Sequence, residues 1–265
     1  MPQFPFARHE KYKSPQENEK SCHNAPVSKA KLFDRTDVWM VWKHKDVCEA
    51  LESNKPSVDR RTPGNPKIHE GGWNAKGQRP NVVNMDDPDH KKQRREMRGP
   101  HWYKPKGPEF HQSSETGSPT NSNLKKYMHK LVEKRIQKLQ DDLVSKLATE
   151  QGVLTLFLYP EELEELKGDP SLAKNVVNEC LRYQTASALN SRRAALEDTT
   201  IGGKEFLDSL IPQHTKKCDG VVCSVRSADR DEDPYENTNI LGVHRKHVTR
   251  DTVGVGYGPH RCQGE

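Results

Sequence analysis

Gly254-Val255-Gly256-Tyr257-Gly258-Pro259-His260-Arg261-Cys262-Gln263-Gly264 decides how this chain is read. Three glycines at alternate positions let the backbone take positive φ and wrap closely. A loop of that kind can aim its N–H groups at one sulfur. Such hydrogen bonds favour the thiolate, the form of cysteine that ligates iron. On spacing alone, the same residues read equally as a flexible glycine-rich tail with an incidental cysteine.

Upstream, Asn178-Glu179-Cys180-Leu181-Arg182 sets Glu179 and Arg182 three apart, facing the same way on a helix. In isolation that is a surface ion pair worth under about 1 kcal/mol. Met85 to Arg94 sets His90 and Arg94 four apart, able to hold a carboxylate or phosphate, or simply part of a solvated basic helix. Thr185 to Arg193 carries a hydroxyl, Ser187, and a cation, Arg193, a pairing suited to proton delivery and anion binding near a cofactor.

Between these motifs the pattern is mixed, mainly helical with short strands. Val27–Phe33 and Val38–Trp42 read as strands joined by a turn at Phe33-Asp34-Arg35-Thr36-Asp37. Lys43–Leu51 reads as a short helix. An apolar stripe at helical spacing runs from about Leu124 to Leu147. Pro160 can open a helix that Gly168 closes, and Asp169-Pro170 caps another at about Ser171–Tyr183. Val221–Val225 reads as strand-like. Residues 53–80 are Pro- and Gly-rich, so a long loop is expected there. Residues 1–25 are expected to be a poorly ordered N-terminus, with one domain over 26–265 and an irregular insert at 98–122.

Of the 265 residues only 31% are hydrophobic and 31% are charged, which is thin stock for a normal core. No window approaches the roughly 20 apolar residues of a spanning helix, and neither a collagen nor a coiled-coil period is present. No secretory signal is visible, and six widely spaced cysteines favour a reduced intracellular setting, cytoplasmic or mitochondrial. The net charge of +5 is modest, with basic residues clustered from Lys91 to Lys106 beside Trp102 and Tyr103. A solvated face explains that cluster more simply than nucleic acid does. The spacing of Cys218, Cys223, His260 and Cys262 fits common zinc pairs poorly.

Taken together and in order, His-x-x-x-Arg, Glu-x-x-Arg and Gly-x-Gly-x-His-Arg-Cys-x-Gly resemble the heme-thiolate cytochrome P450 superfamily. Pro26–Ser28, Lys31–Asp34, Lys43–Cys48, Arg182–Leu189 and Ser227–Asp231 are similar to its fungal nitric oxide reductase branch. The resemblance implies heme b with Cys262 as the thiolate ligand to iron. It implies that His90, Arg94, Arg193 and His260 meet the heme propionates. Glu179 and Arg182 would be a buried structural pair, and Ser187 part of a proton relay. Arg60 falls where that branch receives the phosphates of NADH or NADPH, although Val58 replaces a neighbouring basic residue. The implied substrate is a small molecule, either NO reduced to N2O or an organic compound in a monooxygenase. The oligomeric state is not implied.

The resemblance is interrupted. Residues 145–151 look like the segment before the family's long central helix and 152–158 like its far end, with the middle gone. The resemblance implies a helix after Cys262 whose N-terminus would favour the thiolate, and the chain is expected to lack it. Val255 stands where an aromatic usually shields the sulfur, and Gln263 where an apolar residue is usual. The expectation is an incomplete, truncated and internally deleted P450-like fold that binds heme weakly or not at all. The alternative reading is an inactive fragment acting as a basic interaction protein.

Overall fold

The computed structural model describes residues 1–6, 14–68, 80–97, 155–185, 191–196, 199–202, 214–215, 219–245 and 252–262. The stripe at 124–147, the insert at 98–122, the segment 145–154, Ser187, Cys218 and Gln263 lie outside them.

The chain opens with helix α1 (Gln16–Asn24), then β1 (Val27–Lys31) and β2 (Asp37–Val41). The two strands pair antiparallel, with Val27 opposite Val41 and Lys31 opposite Asp37. Their turn is closed by Leu32 and Thr36, and Arg35 takes a φ of 64°. Helix α2 (His44–Glu52) follows and buries Val47, Ala50 and Leu51, the face set by their three- and four-residue spacing. The loop expected over 53–80 contains a two-residue strand, β3 (Pro56–Ser57).

Helix α3 (Asp89–Met97) carries the His-x-x-x-Arg motif. Helix α4 (Pro160–Gly168) starts at its proline and ends at its glycine, as the sequence predicts. Asp169 then accepts the Ser171 N–H at 3.0 Å and caps a 3-10 turn (Pro170–Leu172) that leads into α5 (Ala173–Gln184). Strands β4 (Arg192–Ala195), β5 (Thr199–Thr200), β6 (His214–Thr215) and β7 (Gly220–Cys223) precede a short helix, α6 (Val225–Ala228). Val225, read from sequence as strand, begins that helix, because the sheet hydrogen bonding stops at Cys223 and Ser224 turns back to Val41 O.

One mixed sheet runs in the order β1-β2-β7-β4-β3. Its interior pair, β2 and β7, is parallel, and Val38–Val41 and Val221–Cys223 are nearly continuous buried apolar runs. On one face Val41, Val47, Leu51, Val221, Val225 and Val253 form a core. On the other Leu32, Met40, Trp42 and Val222 do. A third cluster, Leu156, Val176, Cys180, Tyr183, Leu241 and Val243, packs against the partly buried Leu163 and Leu166 of α4 and so joins α4 to α5. The N-terminus departs from its expectation. Phe4 is buried, Phe6 stacks on Trp42 at 5.8 Å, Lys31 N–H bonds Pro2 O at 2.9 Å, and 16–24 is helical. Two phenylalanines amid polar residues are enough to anchor a segment whose average composition is that of a tail. Among the described residues no helix is long and apolar enough to cross a membrane.

Candidate functional site

The glycine loop is held from three sides. Cys262 N–H bonds Val255 O at 2.9 Å, closing the loop on itself, and Gly256 N–H bonds Val253 O at 2.9 Å. Gly256 and Gly258 have φ of 89° and 62°, where side chains are strained. Gly254 needs its missing side chain for another reason, since a Cβ there would lie 2.7 Å from Leu181 O. Cys262 is half-buried and free of any disulfide.

Immediately before it, His260 stacks on His90 of α3, ring centroids 3.9 Å apart and planes 26° apart. Arg94, one turn along α3, donates to Arg261 O at 2.7 Å. Arg193 enters from β4, buried, and donates to Arg192 O at 3.0 Å. These four side chains, named from sequence, are therefore brought together beside the cysteine loop. A cavity of about 270 Å³ opens there, lined by Leu51, Val58, His90, Arg193, Leu196 and His260 among others.

Asp86, Asp87 and Lys91 line the same cavity, so its charge is mixed, with His90, His260 and Arg193 forming its nitrogen-rich side. Both ring nitrogens of His90 and Nδ1 of His260 are buried with no hydrogen-bond partner, although Asp87 Oδ1 lies 3.6 Å from His90 Nδ1. Burial, with Arg193, His90 and Arg94 close by, pushes the His260 pKa down to about 3. Burial and Arg94 lower that of His90, and burial lowers that of Arg193. Unpaired buried ring nitrogens are costly, and an N–H among them can donate to a carboxylate or phosphate placed beside Arg193 and Arg94. The nitrogen-rich side thus fits an anionic group close to the cysteine loop, while Asp86 and Asp87 border the same cavity and Cys262 does not line it.

Arg60 stands apart from the histidines. It lines a second, smaller pocket with Val58, Asn65, Val83, Asn84, Arg192 and Arg193. Burial and the Arg60 charge push the Arg192 pKa down to about 10. Arg193 borders both pockets.

Glu179 and Arg182 form a fully buried, two-pronged pair with both N···O distances 2.8 Å. Arg182 also donates to Asp229 O at 2.7 Å and Thr238 O at 3.0 Å. Glu179 accepts from Gly242 N at 3.0 Å and Arg245 Nε at 3.1 Å. Sequence reasoning did not find Arg245, because nothing local marks a partner 66 residues away from Glu179. It also missed Asp229, fully buried, which accepts from Val253 N at 2.9 Å at the start of the glycine loop. Among the described residues Cys223, His260 and Cys262 do not meet as a metal group. Among the described residues the metal-capable side chains that meet in a group of three are Glu19, His23 and Glu232, while Cys223 is sealed inside the sheet.

No family model matches the chain. It is similar to cytochrome P450 55A3 of Fusarium lichenicola, 29% identical over all of this chain and 86% of that protein. That match runs over 360 positions, more than the 265 residues present, so the relative has internal stretches with no counterpart here. Cytochrome P450-SU2 of Streptomyces griseolus is 23% identical over 92% of the chain and 80% of its own length. Among solved structures, cytochrome P450 MoxA from Nonomuraea recticatena superposes with a TM-score of 0.74 at 20% identity, covering 99% of this chain and 86% of that one. At that identity the likeness is one of fold.

Proposed function

We propose that the chain is a heme-thiolate oxidoreductase of the cytochrome P450 superfamily, a reading supported by its similarity to two curated P450s along 92–100% of its length and by the shared fold. Cys262 would ligate the iron, and His90, Arg94, Arg193 and His260 would receive the propionates. The observation that carries this reading is the set of buried, unpartnered imidazole nitrogens on His90 and on His260, whose rings stack and of which His260 lies two residues before Cys262. Heme b, when bound, supplies a redox-active iron whose potential follows its axial sulfur and the hydrogen bonds around it.

This chain's own residues would do the rest. Arg193 and Arg94 would offset the propionate charge, and one ring N–H of each of His90 and His260 would gain an acceptor. The bonded loop from Val253 to Cys262 fixes the sulfur's position before any ligand arrives. The Glu179–Arg182–Arg245 network holds α5 against the loop's approach.

The reaction favoured is that of the fungal nitric oxide reductase branch, in which two NO and one NAD(P)H with a proton give N2O, water and NAD(P)+. Similarity to the Fusarium protein along the whole of this chain supports it. Arg60 would take the nicotinamide cofactor's phosphates. Ser187 would hand on protons. A monooxygenase acting on an organic molecule is the second reading, supported by the similarity to P450-SU2 over most of the chain.

Titrating the purified chain with hemin, reducing it and adding CO tests the heme site. A thiolate-type carbonyl spectrum that disappears in Cys262→Ala is expected, and its absence from the wild type at every heme ratio would overturn the proposal. Anaerobic NADH oxidation triggered by NO without a reductase separates the first reading from the second.

A further inference from the structure

Asp229 sits where α6 ends, fully buried between the end of α5 and the start of the glycine loop. Its Oδ1 accepts from Val253 N at 2.9 Å and from Thr252 Oγ at 3.2 Å. Its Oδ2 lies 3.3 Å from Thr185 Oγ. Thr185 is the residue that ends α5 in the left-handed region, with φ 47°. Its hydroxyl donates to Arg182 O at 2.9 Å, a better bond than the one to Asp229.

A hydroxyl has one proton. If Thr185 spends it on Arg182 O, two bare oxygens face each other across 3.3 Å unless Asp229 supplies the missing hydrogen. The charges around the carboxyl do not call for an anion. Arg182, on α5, is the cation facing it, and Glu179 already neutralises that guanidinium bidentately. Arg230 is next in the chain, but its guanidinium covers the Tyr183 ring at 4.2 Å and donates to Asn239. Asp231 faces Lys43 and the His44 N–H instead. The loop residues Thr252 to Gly254 bring no charge.

We infer that Asp229 is a positioning residue that works as a neutral acid, donating from Oδ2 to Thr185 and accepting the Val253 N–H at Oδ1, so that one proton pins the Cys262 loop to the end of α5. Burial agrees, raising the Asp229 pKa to about 7. Losing the proton above that point sets a buried carboxylate against the Thr185 oxygen and loosens the loop's entry. The latch belongs to the polypeptide. Its effect on a sulfur–iron bond rests in addition on the heme-thiolate reading.

Linkage fixes the sign of the test. A carboxyl raised from 3.8 to about 7 by folding favours the folded chain below its unfolded pKa. That advantage is lost as pH rises to about 7. His260, lowered by folding, works in the opposite sense, so the wild-type profile alone is not diagnostic. The quantity to read is the difference in Tm between Asp229→Asn and wild type, as full apo chains, where other groups cancel. An asparagine keeps both directions, Oδ1 accepting and Nδ2 donating. The difference is expected to move in favour of Asn by about 5 °C or more between about pH 5 and about pH 8.

In the heme-loaded chain, the thiolate-type carbonyl fraction should fall with rising pH in the wild type and stay level in Asp229→Asn. The infrared band of a protonated carboxylic acid, present at pH about 6 and lost at about 9, reports on the wild type even if the variant does not fold. A pH-independent Tm difference, or no protonated carboxyl band at pH about 6, would overturn the inference. Failure of heme loading with the Tm shift intact would count against the heme reading alone.

Discussion

Replacing Glu179 by glutamine tests the centre of the fold directly. In the native chain two guanidinium groups, Arg182 and Arg245, and the Gly242 N–H converge on this one fully buried carboxylate. Glutamine keeps the size and one acceptor. It removes the charge and turns an NH2 group toward one of the donors now 2.8 Å away. Removing one partner of a buried ion pair costs about 3–5 kcal/mol, because the surviving charge stays buried and uncompensated. Against a whole-chain stability of about 5–15 kcal/mol that is about a fifth of the total or more. At about 2–4 °C per kcal/mol for a chain of this size, Tm should drop by roughly 6–20 °C. Urea titration is the assay, read as a lower midpoint at unchanged slope. Glu164→Gln, which opens the exposed pair with Lys167, serves as the control and should be indistinguishable from wild type. A midpoint shift for Glu179→Gln no larger than the control's would refute the argument that this network is held by charge.

Two further outcomes follow from the loop and its neighbours. Gly254→Ala should cost about 1–3 kcal/mol in the same titration, since its Cβ would meet a backbone oxygen and the Asp229 carboxyl. Gly168→Ala, with nothing within 4 Å, should be neutral or stabilising. His260 is lowered by folding from 6.5 to about 3. It therefore supports the fold above its unfolded pKa and loses that contribution as pH falls from about 6.5 toward about 3. His260→Phe, which keeps the ring stack, should flatten that acid limb of the Tm profile measured from about pH 4 to about pH 7.

The parts of the fold that sequence made legible are those with local causes. Pro160 and Gly168 bracket α4, and Asp169 caps the next turn, because helix ends are set by the few residues that meet orphaned N–H and C=O groups. Strands β1 and β2 were visible because a turn and two short apolar runs suffice for a hairpin. The four propionate candidates, spaced from 90 to 260, were picked by resemblance and do meet in space. What stayed hidden depends on distant partners. Arg245 looks like any surface arginine until Glu179 is placed beside it. Asp229 sits in a charged run and gave no sign that it would be fully buried. The N-terminal segment failed differently, since its mean polarity conceals the two aromatics that dock on Trp42.

The parallel pairing of β2 with β7 has a cost in time. It joins Val38–Val41 to residues 220–223, and Trp39 Nε1 reaches Asp219 over a separation of 180 residues. During synthesis the β1–β2 hairpin therefore emerges long before the strand that completes it, with one edge of β2 bare. A hydrophobic edge left waiting invites pairing with the wrong chain. Yields from cells should accordingly depend on growth temperature and on chaperone supply more than the finished fold's stability would suggest.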